Sequence, residues 1–499
     1  MKIIIPMTGM SKRFKREGIK TPKQFLKVNK KMIIEHILDM FPGEEDINFI
    51  VNQDEYEDKE LKKYFSKISN YKMVKIKYQK SGPGGALLKS KLLETKSPVL
   101  INYCDFSNIW DWEKFKLYIL NNNPDGVVPS YFGLHPHSIY GNNYAFIQNQ
   151  KDKVLSIKEK KPFTSNKINE FASSGTYYFK SGELAKKYIK KVFELEKYIN
   201  GEVYISTPYE EMIKDNLDIR LYEIKYFFQW GTPEDYYEFI YNLNEVENVK
   251  LENKIDLNNI NLLIPAAGEG SRFKNMGYKE SKIYLDLNNS SIIVEILNCF
   301  KNQLQTKVLI LEKDFNKEIL SDNKFDFERI PKTTEGQAAS ALKLIEKIEN
   351  NEAILIHSAD CILDKTTDVK IGDYDIVVYT KNNYRRAFEQ ELNYGWINQK
   401  ENLIESLSIK SPPKSRSSNV IIGTFLFKNK DIFKELYTET CVIKKDQKEI
   451  HIDHLVETAI NKGYKVHEEY SDSSVMLGTP LEYELFKYMK NAHEYLNIK

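Results

Sequence analysis

Short apolar runs alternate with amphipathic segments along the whole chain. Near the N-terminus, "KIIIPM" (2–7) and "DINFIVN" (46–52) have the composition of buried strands. Between and after them, "KKMIIEHILDMF" (30–41) and "DKELKKYFSKI" (58–68) space their apolar residues as helices do. Strands separated by helices of this length predict right-handed βαβ units and a mainly parallel, doubly wound α/β sheet. Binding sites in such sheets lie at the carboxyl ends of the strands.

The same pattern occurs twice in the chain. The segment "IIIPMTGMSKRFKREGIKTPKQFL" (3–26) aligns without a gap with "LLIPAAGEGSRFKNMGYKESKIYL" (262–285). Further matches follow in the same order, from "SGPGGALL" (81–88) with "EGQAASAL" (335–342) to "WGTPEDYYEF" (230–239) with "LGTPLEYELF" (477–486). We therefore expect two tandem α/β domains, residues 1–245 and 255–499, joined by a polar segment near 246–260.

Charge and composition narrow the class of protein. The chain has 73 Lys and Arg against 71 Asp and Glu, a formal charge of +2, so it lacks the broad basic field of a nucleic-acid or membrane-surface binder. Its apolar runs are shorter than the roughly 20 residues that cross a bilayer, and the first is too short for a signal peptide. The four cysteines are scattered, as expected of buried thiols in a reducing compartment. We expect a cytoplasmic protein.

A glycine loop follows the first strand of each copy. Glycines permit positive φ and close backbone approach, and the start of the next helix offers N–H donors to an anion. The spacing G-x-G-x-R-F is neither a dinucleotide fingerprint nor a P-loop. The residues predicted to bind nucleotide phosphates are Thr8, Gly9 and Ser11 in copy one and Ala267, Gly268 and Gly270 in copy two. The cations that repeat in register, and that we predict to be catalytic, are Arg13, Lys23, Arg272 and Lys282.

The G-x-G-x-R-F loop followed by T-P-K resembles the sugar-phosphate nucleotidyltransferase (NDP-sugar pyrophosphorylase) family. The similarity covers essentially all of both halves and is strongest to small members from capsule and surface-polysaccharide pathways. It implies a Rossmann-like, GT-A-like fold in each copy. It also implies transfer of a nucleotidyl group from an NTP to a sugar 1-phosphate, with release of pyrophosphate and with Mg²⁺ as cofactor. No nucleic-acid or membrane partner is implied.

The resemblance also assigns roles to residues beyond the first loop. Asp105 and Asp360, which end equivalent strands, would hold Mg²⁺ through one carboxylate each. The second glycine loop would lie under the nucleoside base, through Gly82, Gly84 and Gly85 in copy one and Gly336 in copy two. The acceptor would meet Glu159, Lys160 and Gly175 in copy one and Lys410 and Gly423 in copy two.

Neither copy has the complete family pattern. Copy one has Ser11 in place of the second loop glycine, and copy two has "ESK" for "TPK". Copy two also has "SIKSPP" where the Glu-Lys pair belongs, which leaves Lys410 as its candidate cation. Gln229 and Met476 stand where many relatives carry a second metal-binding Asp. We therefore expect the first half to be better equipped for the acceptor and Lys23→Ala to be more damaging than Lys282→Ala.

Several functions remain open at this point. The chain is either a tandem nucleotidyltransferase or one active half with a pseudo-catalytic half that binds nucleotide for regulation. The acceptor is either a sugar phosphate or another phosphorylated compound, as for a cytidylyltransferase. A glycosyltransferase of related fold ranks last, because "YCDF" and "SADC" supply one Asp each where such enzymes carry Asp-x-Asp.

Overall fold

The computed structural model describes residues 1–56, 62–63, 65, 71–139, 141–287, 290–316, 318, 325–382, 384–400 and 403–498. It divides into two compact units, one of Met1–Tyr241 with Asn491–Lys499 and one of Asn242–Lys490. The division falls inside the helix Pro233–Lys250, a few residues before the predicted end of copy one at 245. The C-terminal residues from Asn491 onward group with the first unit.

The first unit is built on a ten-stranded sheet. Four parallel strands are followed by one reversed strand and then by two strands that are parallel to each other, with an antiparallel hairpin at the edge. In spatial order the strands are Lys72–Ile76, Ile47–Asn52, Lys2–Met7, Val99–Asn102, Thr176–Phe179, Gly126–Tyr131, Ile219–Glu223, Lys153–Glu159, Ala145–Gln150 and Phe171–Ser173.

The second unit repeats this order in a nine-stranded sheet. The reversed strand again follows the four parallel strands, and here a hairpin pairs directly with the reversed strand. The strands are Asp326–Ile330, Thr306–Leu311, Ile260–Pro265, Ala353–His357, Asn419–Phe427, Ile376–Lys381 and Val466–Tyr470, with the hairpin Gly395–Lys400 and Leu403–Ile409. The predicted α/β class is confirmed in both units, but each sheet is mixed, because antiparallel strands continue a parallel core.

Helices alternate with the strands along the chain, as the sequence pattern predicts. Before Ser271 they are Lys12–Arg16, Ile33–Leu38, Gln53–Tyr56, Gly82–Ser90, Trp112–Asn122, Gly182–Glu194, Ser206–Lys214 and Pro233–Lys250. From Ser271 onward they are Ser271–Asn275, Ile292–Asn298, Gln337–Ile345, Arg385–Glu389, Lys430–Ile443, Ile452–Lys462 and Pro480–Ile498. The segment 58–68, predicted to be helical, lies mostly outside the described residues.

Small two-stranded sheets complete the scaffold around the strand ends. They pair Lys27–Val28 with Lys31–Met32, Phe106–Ile109 with Tyr226–Gln229, Ile255–Asp256 with Phe300–Lys301, Asp286–Leu287 with Ser290–Ser291, and Cys361–Ile362 with Val475–Met476. The Phe106–Ile109 and Cys361–Ile362 pairs bring the late Gly-Thr-Pro segments beside the predicted metal-binding aspartates.

Each unit has its own apolar core. In the first unit the central strands and the helices on them bury Ile4, Ile101 and Phe179 completely. In the second unit Leu263 and Ile356 occupy comparable central strands and are also fully buried. No helix among the described residues has the length and apolar character needed to cross a bilayer.

Candidate functional site

The first glycine loop has the same backbone shape in both units. Gly270, just before the helix Ser271–Asn275, has φ +63° and ψ +30°. Ser11, at the equivalent position before Lys12–Arg16, has φ +48° and ψ +34° although it carries a side chain. Its hydroxyl accepts a hydrogen bond from the backbone N–H of Lys23 at 3.3 Å. The first unit therefore keeps the loop geometry although Ser11 replaces the glycine.

The predicted catalytic lysines are paired with the predicted metal-binding aspartates. The Nζ of Lys23 lies 2.5 Å from Oδ2 of Asp105, and that of Lys282 lies 2.6 Å from Oδ2 of Asp360. Each lysine begins a 3₁₀ turn and each aspartate follows a strand of the central sheet, so two separate elements fix each pair. The sequence placed these residues in one site but did not show that they form ion pairs.

These ion pairs outweigh the cost of burying their charges. Burial alone would lower the pKa of the Lys23 ammonium, but the charge of Asp105 raises it above its usual value. Burial would raise the pKa of the Asp360 carboxyl, yet the charge and hydrogen bond of Lys282 lower it overall. The Lys23 ammonium and the Asp360 carboxylate are therefore charged at neutral pH.

A cavity of about 410 Å³ opens at the carboxyl ends of the strands in the first unit. A volume in this range suits a small-molecule ligand. The predicted residues that line it are Thr8, Gly9, Ser11, Arg13, Lys23, Gly82, Asp105, Glu159, Lys160 and Gly175. Sequence positions up to 167 residues apart, from Thr8 to Gly175, thus meet in one site.

Two glycines of the second loop lie outside this lining. A Cβ on Gly84 would sit 2.7 Å from Cγ1 of Val203, and one on Gly85 would sit 2.0 Å from Oγ of Ser81. Their glycine identity is explained by tight packing at the start of the helix Gly82–Ser90.

Gly82 and Gly336 do have the special backbone expected of the second loop. Gly82 has φ +72° and Gly336 has φ +117°. A Cβ on Gly336 would lie 2.6 Å from the carbonyl oxygen of Ile450, and one on Gly82 would lie 2.8 Å from Cβ of Glu202. The segment that begins at Glu202 in copy one and its equivalent in copy two therefore press against this loop.

Glu159 and Lys160 form the far end of the cavity in the first unit. Glu159 accepts a hydrogen bond of 2.6 Å from Oγ of Ser206. Lys160 donates to the hydroxyl of Tyr204 at 2.7 Å and lies over its ring. Burial raises the pKa of Glu159 to about 7, against the lowering effects of Ser206 and Lys160. Burial lowers the pKa of Lys160. This end can therefore exchange hydrogen bonds with a polar ligand.

Gly175 and Gly423 also occupy equivalent positions with positive φ, +88° and +75°. A Cβ on Gly175 would lie 2.9 Å from Cε1 of Phe106, and one on Gly423 would lie 2.8 Å from Cβ of Ser358. Gly175 lines the cavity, as expected of a residue that leaves room for a ligand.

The two other predicted cations of the second unit, Arg272 and Lys410, contact residues outside the Lys282–Asp360 pair. Arg272 donates to Oδ1 of Asn393 at 3.3 Å and to the carbonyl of Gly478 at 3.5 Å. Lys410 is more than half exposed, and its Nζ lies 3.7 Å from a carboxylate oxygen of Glu449. Lys410 has φ +47° and Lys160 has φ +57°, so the backbone at this position is the same in both units.

The residues around Asp105 fit a magnesium ion that arrives with phosphate. A Cβ on Gly231 would lie 2.6 Å from Oδ2 of Asp105 and 2.7 Å from Nε2 of Gln229, so the missing side chain keeps this space open. Mg²⁺ is commonly held by one or two carboxylates, with water and phosphate oxygens as the remaining ligands. Across the described ranges, no group of three or more His, Cys, Asp or Glu side chains forms a metal site. In the second unit Met476 replaces Gln229, and Asp360 is the carboxylate beside Gly478.

Several cavity residues were not among the predicted site residues. Tyr103, Tyr177 and Tyr204 also line the cavity, and Gly231 lies against Asp105. The repeated Gly-Thr-Pro could have identified Gly231, because it recurs as Gly478. The tyrosines carry no such signal, since 32 are spread over the chain.

Comparison with known proteins found a curated sequence and several solved structures that are similar to this chain. No family model matches the chain. The D-glycero-alpha-D-manno-heptose 1-phosphate guanylyltransferase of Campylobacter jejuni is 24% identical over an alignment of 263 residues that covers 48% of this chain and 100% of that protein.

Among solved structures, the nucleoside-diphosphate-sugar pyrophosphorylase of Vibrio cholerae RC9 matches with a TM-score of 0.40 and 20% identity, over 48% of this chain and 99% of its own. The inositol-1-phosphate CTP transferase of T. maritima matches with a TM-score of 0.37 and 14% identity, over 47% and 96%. One relative thus corresponds to about half of this chain. The curated relative is named as a nucleotidyltransferase, the kind of protein that the sequence motifs resemble.

Proposed function

We propose, from this family relationship, that the protein transfers a nucleoside monophosphate from an NTP to a sugar 1-phosphate or a similar phosphorylated acceptor and releases pyrophosphate. The general type, a sugar-phosphate nucleotidyltransferase, agrees with the relatives. The observation that carries the proposal is the cavity of the first unit. It gathers a glycine loop, the Lys23–Asp105 pair and the Glu159–Lys160 end in one space of about 410 Å³.

The chemistry joins two anions, so charge neutralisation is the main task. Like charges about 4 Å apart repel by roughly 4 kcal/mol at an effective dielectric of 20. An oxygen of the acceptor phosphate attacks the α-phosphorus of the NTP, and the bond from that phosphorus to the bridging oxygen breaks to release pyrophosphate. The nucleophile is already ionised at pH 7, so the reaction needs no general base. Catalysis is then positioning and electrostatic stabilisation.

Each group in the cavity has a task in this scheme. The backbone of Thr8, Gly9 and Ser11 would receive the triphosphate, and Arg13 would neutralise it. Lys23 would move from Asp105 to phosphate oxygens when these bind. Its ammonium, kept charged by Asp105, is available for that exchange.

Asp105 would hold Mg²⁺, with Gln229 nearby. When bound, the ion would screen the phosphate charges and favour departure of pyrophosphate. Asp360 would hold the ion in the second unit. The role of Asp105 is tested by Asp105→Asn, which should raise the Mg²⁺ concentration needed for half-maximal activity.

The acceptor would occupy the end lined by Glu159, Lys160 and Gly175. Lys160 suits the acceptor phosphate, and Glu159 suits hydroxyl groups. In the second unit Lys410 and Gly423 would occupy the equivalent places. The acceptor is then either a sugar phosphate or another phosphorylated alcohol, and we favour a sugar phosphate because of the relatives' names. Supply of precursors for capsule or surface polysaccharide in the cytoplasm is part of this proposal.

A pyrophosphate-release assay on the full chain tests the function. Five NTPs would each be combined with Mg²⁺ and a panel of sugar 1-phosphates and phosphorylated alcohols. We expect pyrophosphate only when an NTP, Mg²⁺ and an acceptor are all present, and none from the double variant Lys23→Ala/Lys282→Ala. Transfer of sugar from an NDP-sugar to a saccharide, without pyrophosphate, would instead identify a glycosyltransferase.

A further inference from the structure

The acceptor ends of the two units can be compared residue by residue through their hydrogen-bond registers. In the first unit Glu159 pairs with Ala145 across the hairpin, and in the second unit Ile409 pairs with Gly395. The next residues, Lys160 and Lys410, donate their N–H to Tyr144 and Tyr394, at 2.8 and 3.3 Å. Ile409 therefore occupies the place of Glu159, and the second unit has lost a carboxylate there.

A second register aligns the helices on this side of the site. The N–H of Gly84 donates to the carbonyl of Val203, and the N–H of Ala338 donates to the carbonyl of Ile450. Val203 and Ile450 are thus equivalent, and three residues later Ser206 is equivalent to Asp453. The residue that donates to Glu159 in the first unit is therefore an aspartate in the second.

The carboxylate of Asp453 points to the vacated place. A Cβ on Gly395 would lie 2.6 Å from its Oδ2 and 3.1 Å from its Cγ. The first unit has Ala145 at this position, so its Cβ would obstruct such a carboxylate. Three differences between the units thus belong together: Ala145/Gly395, Glu159/Ile409 and Ser206/Asp453. The carboxyl group lies on the strand in the first unit and on the helix in the second, where the glycine leaves space for it.

The charge environment of Asp453 also resembles that of Glu159. Burial raises the pKa of Asp453 to about 7, and the charge of Lys410 lowers it. Burial likewise raises the pKa of Glu159 to about 7, and Lys160 lowers it. Each unit therefore sets one desolvated carboxyl group beside the lysine with positive φ.

A helix-capping role does not account for this placement. Asp453 is the second residue of the helix Ile452–Lys462, where acidic side chains often interact with the first turn. Among the contacts of the described residues, the Asp453 carboxylate receives no hydrogen bond from that turn; the cap contact there joins the N–H of His451 to Nδ1 of His454. The carboxylate turns toward the hairpin.

We infer that Asp453 is a specificity-determining residue of the second unit, accepting hydrogen bonds from hydroxyl groups of a phosphorylated polyol or sugar whose phosphate is held by Lys410. This inference rests on the proposed function and deepens it, because it makes the second unit a working transferase and not a pseudo-catalytic module. The second unit also has His451 at the position equivalent to Tyr204 of the first unit. We therefore expect the acceptors of the two units to differ.

The test uses the full chain with Lys23→Ala, which silences the first unit. Steady-state kinetics with the NTP and acceptor panel should show remaining pyrophosphate release. In this background Asp453→Asn should raise the acceptor KM at least tenfold and leave the NTP KM within twofold. Asp446→Asn, at an exposed position on the loop before this helix, is the matched control and should change neither constant.

A restoring variant distinguishes a role in acceptor binding from a purely structural effect of Asp453→Asn. Gly395→Ala/Ile409→Glu/Asp453→Ser rebuilds the arrangement of the first unit and should bring the acceptor KM back toward that of the Lys23→Ala protein. An unchanged acceptor KM in Asp453→Asn, or an equal rise in both KM values, would overturn the inference.

The outcomes also separate this inference from the proposed function. If Lys23→Ala removed all turnover while the wild-type protein was active, the second unit would have no working acceptor site and only the inference would fail. If the wild-type protein released no pyrophosphate with any pair of substrates, the proposed function itself would fail.

Discussion

At the scale of single residues, the loop after the first strand keeps a left-handed backbone conformation even where a serine replaces the glycine that favours it. Ser11 and Gly270 share left-handed backbone angles. For residues other than glycine this region costs about 1–2 kcal/mol. The hydroxyl of Ser11 offsets part of that cost through its bond from Lys23.

The cost can be measured at Gly270, because a Cβ there would meet no atom within 4 Å and only backbone strain would change. Gly270→Ala should lower the free energy of unfolding by about 1 kcal/mol. Gly270→Ser should lose less, since its hydroxyl could accept from the N–H of Lys282 as Ser11 does from Lys23. Urea unfolding of the full chain would rank the three proteins, and an alanine variant as stable as wild type would contradict this account.

The Lys–Asp pairs lead to a second prediction at this scale. Lys23→Ala and Lys282→Ala should each reduce turnover in their own unit by about 10²–10³-fold, as loss of one cation that stabilises the transition state does. The sequence predicted a smaller effect for Lys282, but both pairs have the same geometry. Lys20→Ala and Lys279→Ala, at exposed equivalent positions, are the controls and should retain full pyrophosphate release.

Glu159 gives a prediction about stability and pH. Its pKa is about 7 in the folded protein and near 4.5 when unfolded, so the folded state keeps a proton that the unfolded state loses. Wild-type stability from this group is therefore full below about pH 4.5 and falls as the pH rises to about 7. Glu159→Gln should be more stable than wild type at pH 8, by roughly 2–3 kcal/mol, with the difference shrinking toward pH 5.

Chemical unfolding at pH 5 and pH 8 would measure this difference. Glu194→Gln, at an exposed position in the helix Gly182–Glu194, is the control and should show no such dependence. A variant less stable than wild type at both values would mean that the Glu159 carboxylate is stabilising, contrary to its burial.

At the scale of elements, the second glycine loop shows that a glycine pattern can serve packing as much as binding. The helix Gly82–Ser90 starts against the segment that leads into Ser206–Lys214, and Gly84 lies where the two backbones meet. The second unit has Ala338 at the equivalent position and keeps the same N–H donation, to Ile450. In the second unit the helix Gln337–Ile345 and the segment at Ile450 must therefore be spaced to admit the alanine methyl group.

Gly84→Ala tests this contact. The new methyl group would lie 2.7 Å from Cγ1 of Val203 and 2.9 Å from its carbonyl oxygen, and the latter cannot move without the backbone. We expect a loss of about 1–3 kcal/mol in unfolding free energy. Lys89→Ala on the exposed side of the same helix should change stability by less than about 0.5 kcal/mol. Equal effects of the two changes in thermal unfolding would contradict close packing at Gly84.

The sequence predicted the elements better than the partnerships between them. The strands Lys2–Met7 and Ile260–Pro265 follow directly from their apolar runs, and their loops follow from glycine and arginine. The exchange at Asp453 was missed because the alignment of the copies shows the changes at Gly395, Ile409 and Asp453 separately and does not show that they concern one space. Side chains from a strand and a helix reach the same space, and this becomes visible only once hairpin and helix registers are known.

At the scale of the whole molecule, each unit carries its own loop, ion pair and sheet in the same order. The boundary of the units was harder to predict. Both copies end with the same Gly-Thr-Pro helix pattern, and nothing local in the pattern indicates that Asn491 onward belongs with the first unit. The limits of 245 and 255 stay a prediction, and the two compact units divide between Tyr241 and Asn242.

Two equivalent loops predict two nucleotide sites per chain. Equilibrium dialysis with labelled NTP should give a stoichiometry of two for the full chain. Arg13→Ala and Arg272→Ala should each weaken one site at least tenfold, since a charged hydrogen bond contributes about 1.5–3 kcal/mol, and should leave the other site intact. A stoichiometry of one in the wild-type protein would show that one loop is only structural.

The exchange of the carboxyl group between strand and helix also constrains how the two copies diverged. Assuming that the common ancestor resembled the first unit, a route that first replaced the glutamate would pass through a site with no acid beside its lysine. A route that first gained the aspartate would pass through two neighbouring acids, which can share one proton. That second route is open only after the residue at the position of Ala145 has become glycine, because a methyl group there would lie 2.6 Å from the new carboxylate. The change from alanine to glycine, which by itself alters no functional group, therefore had to precede the gain of the aspartate.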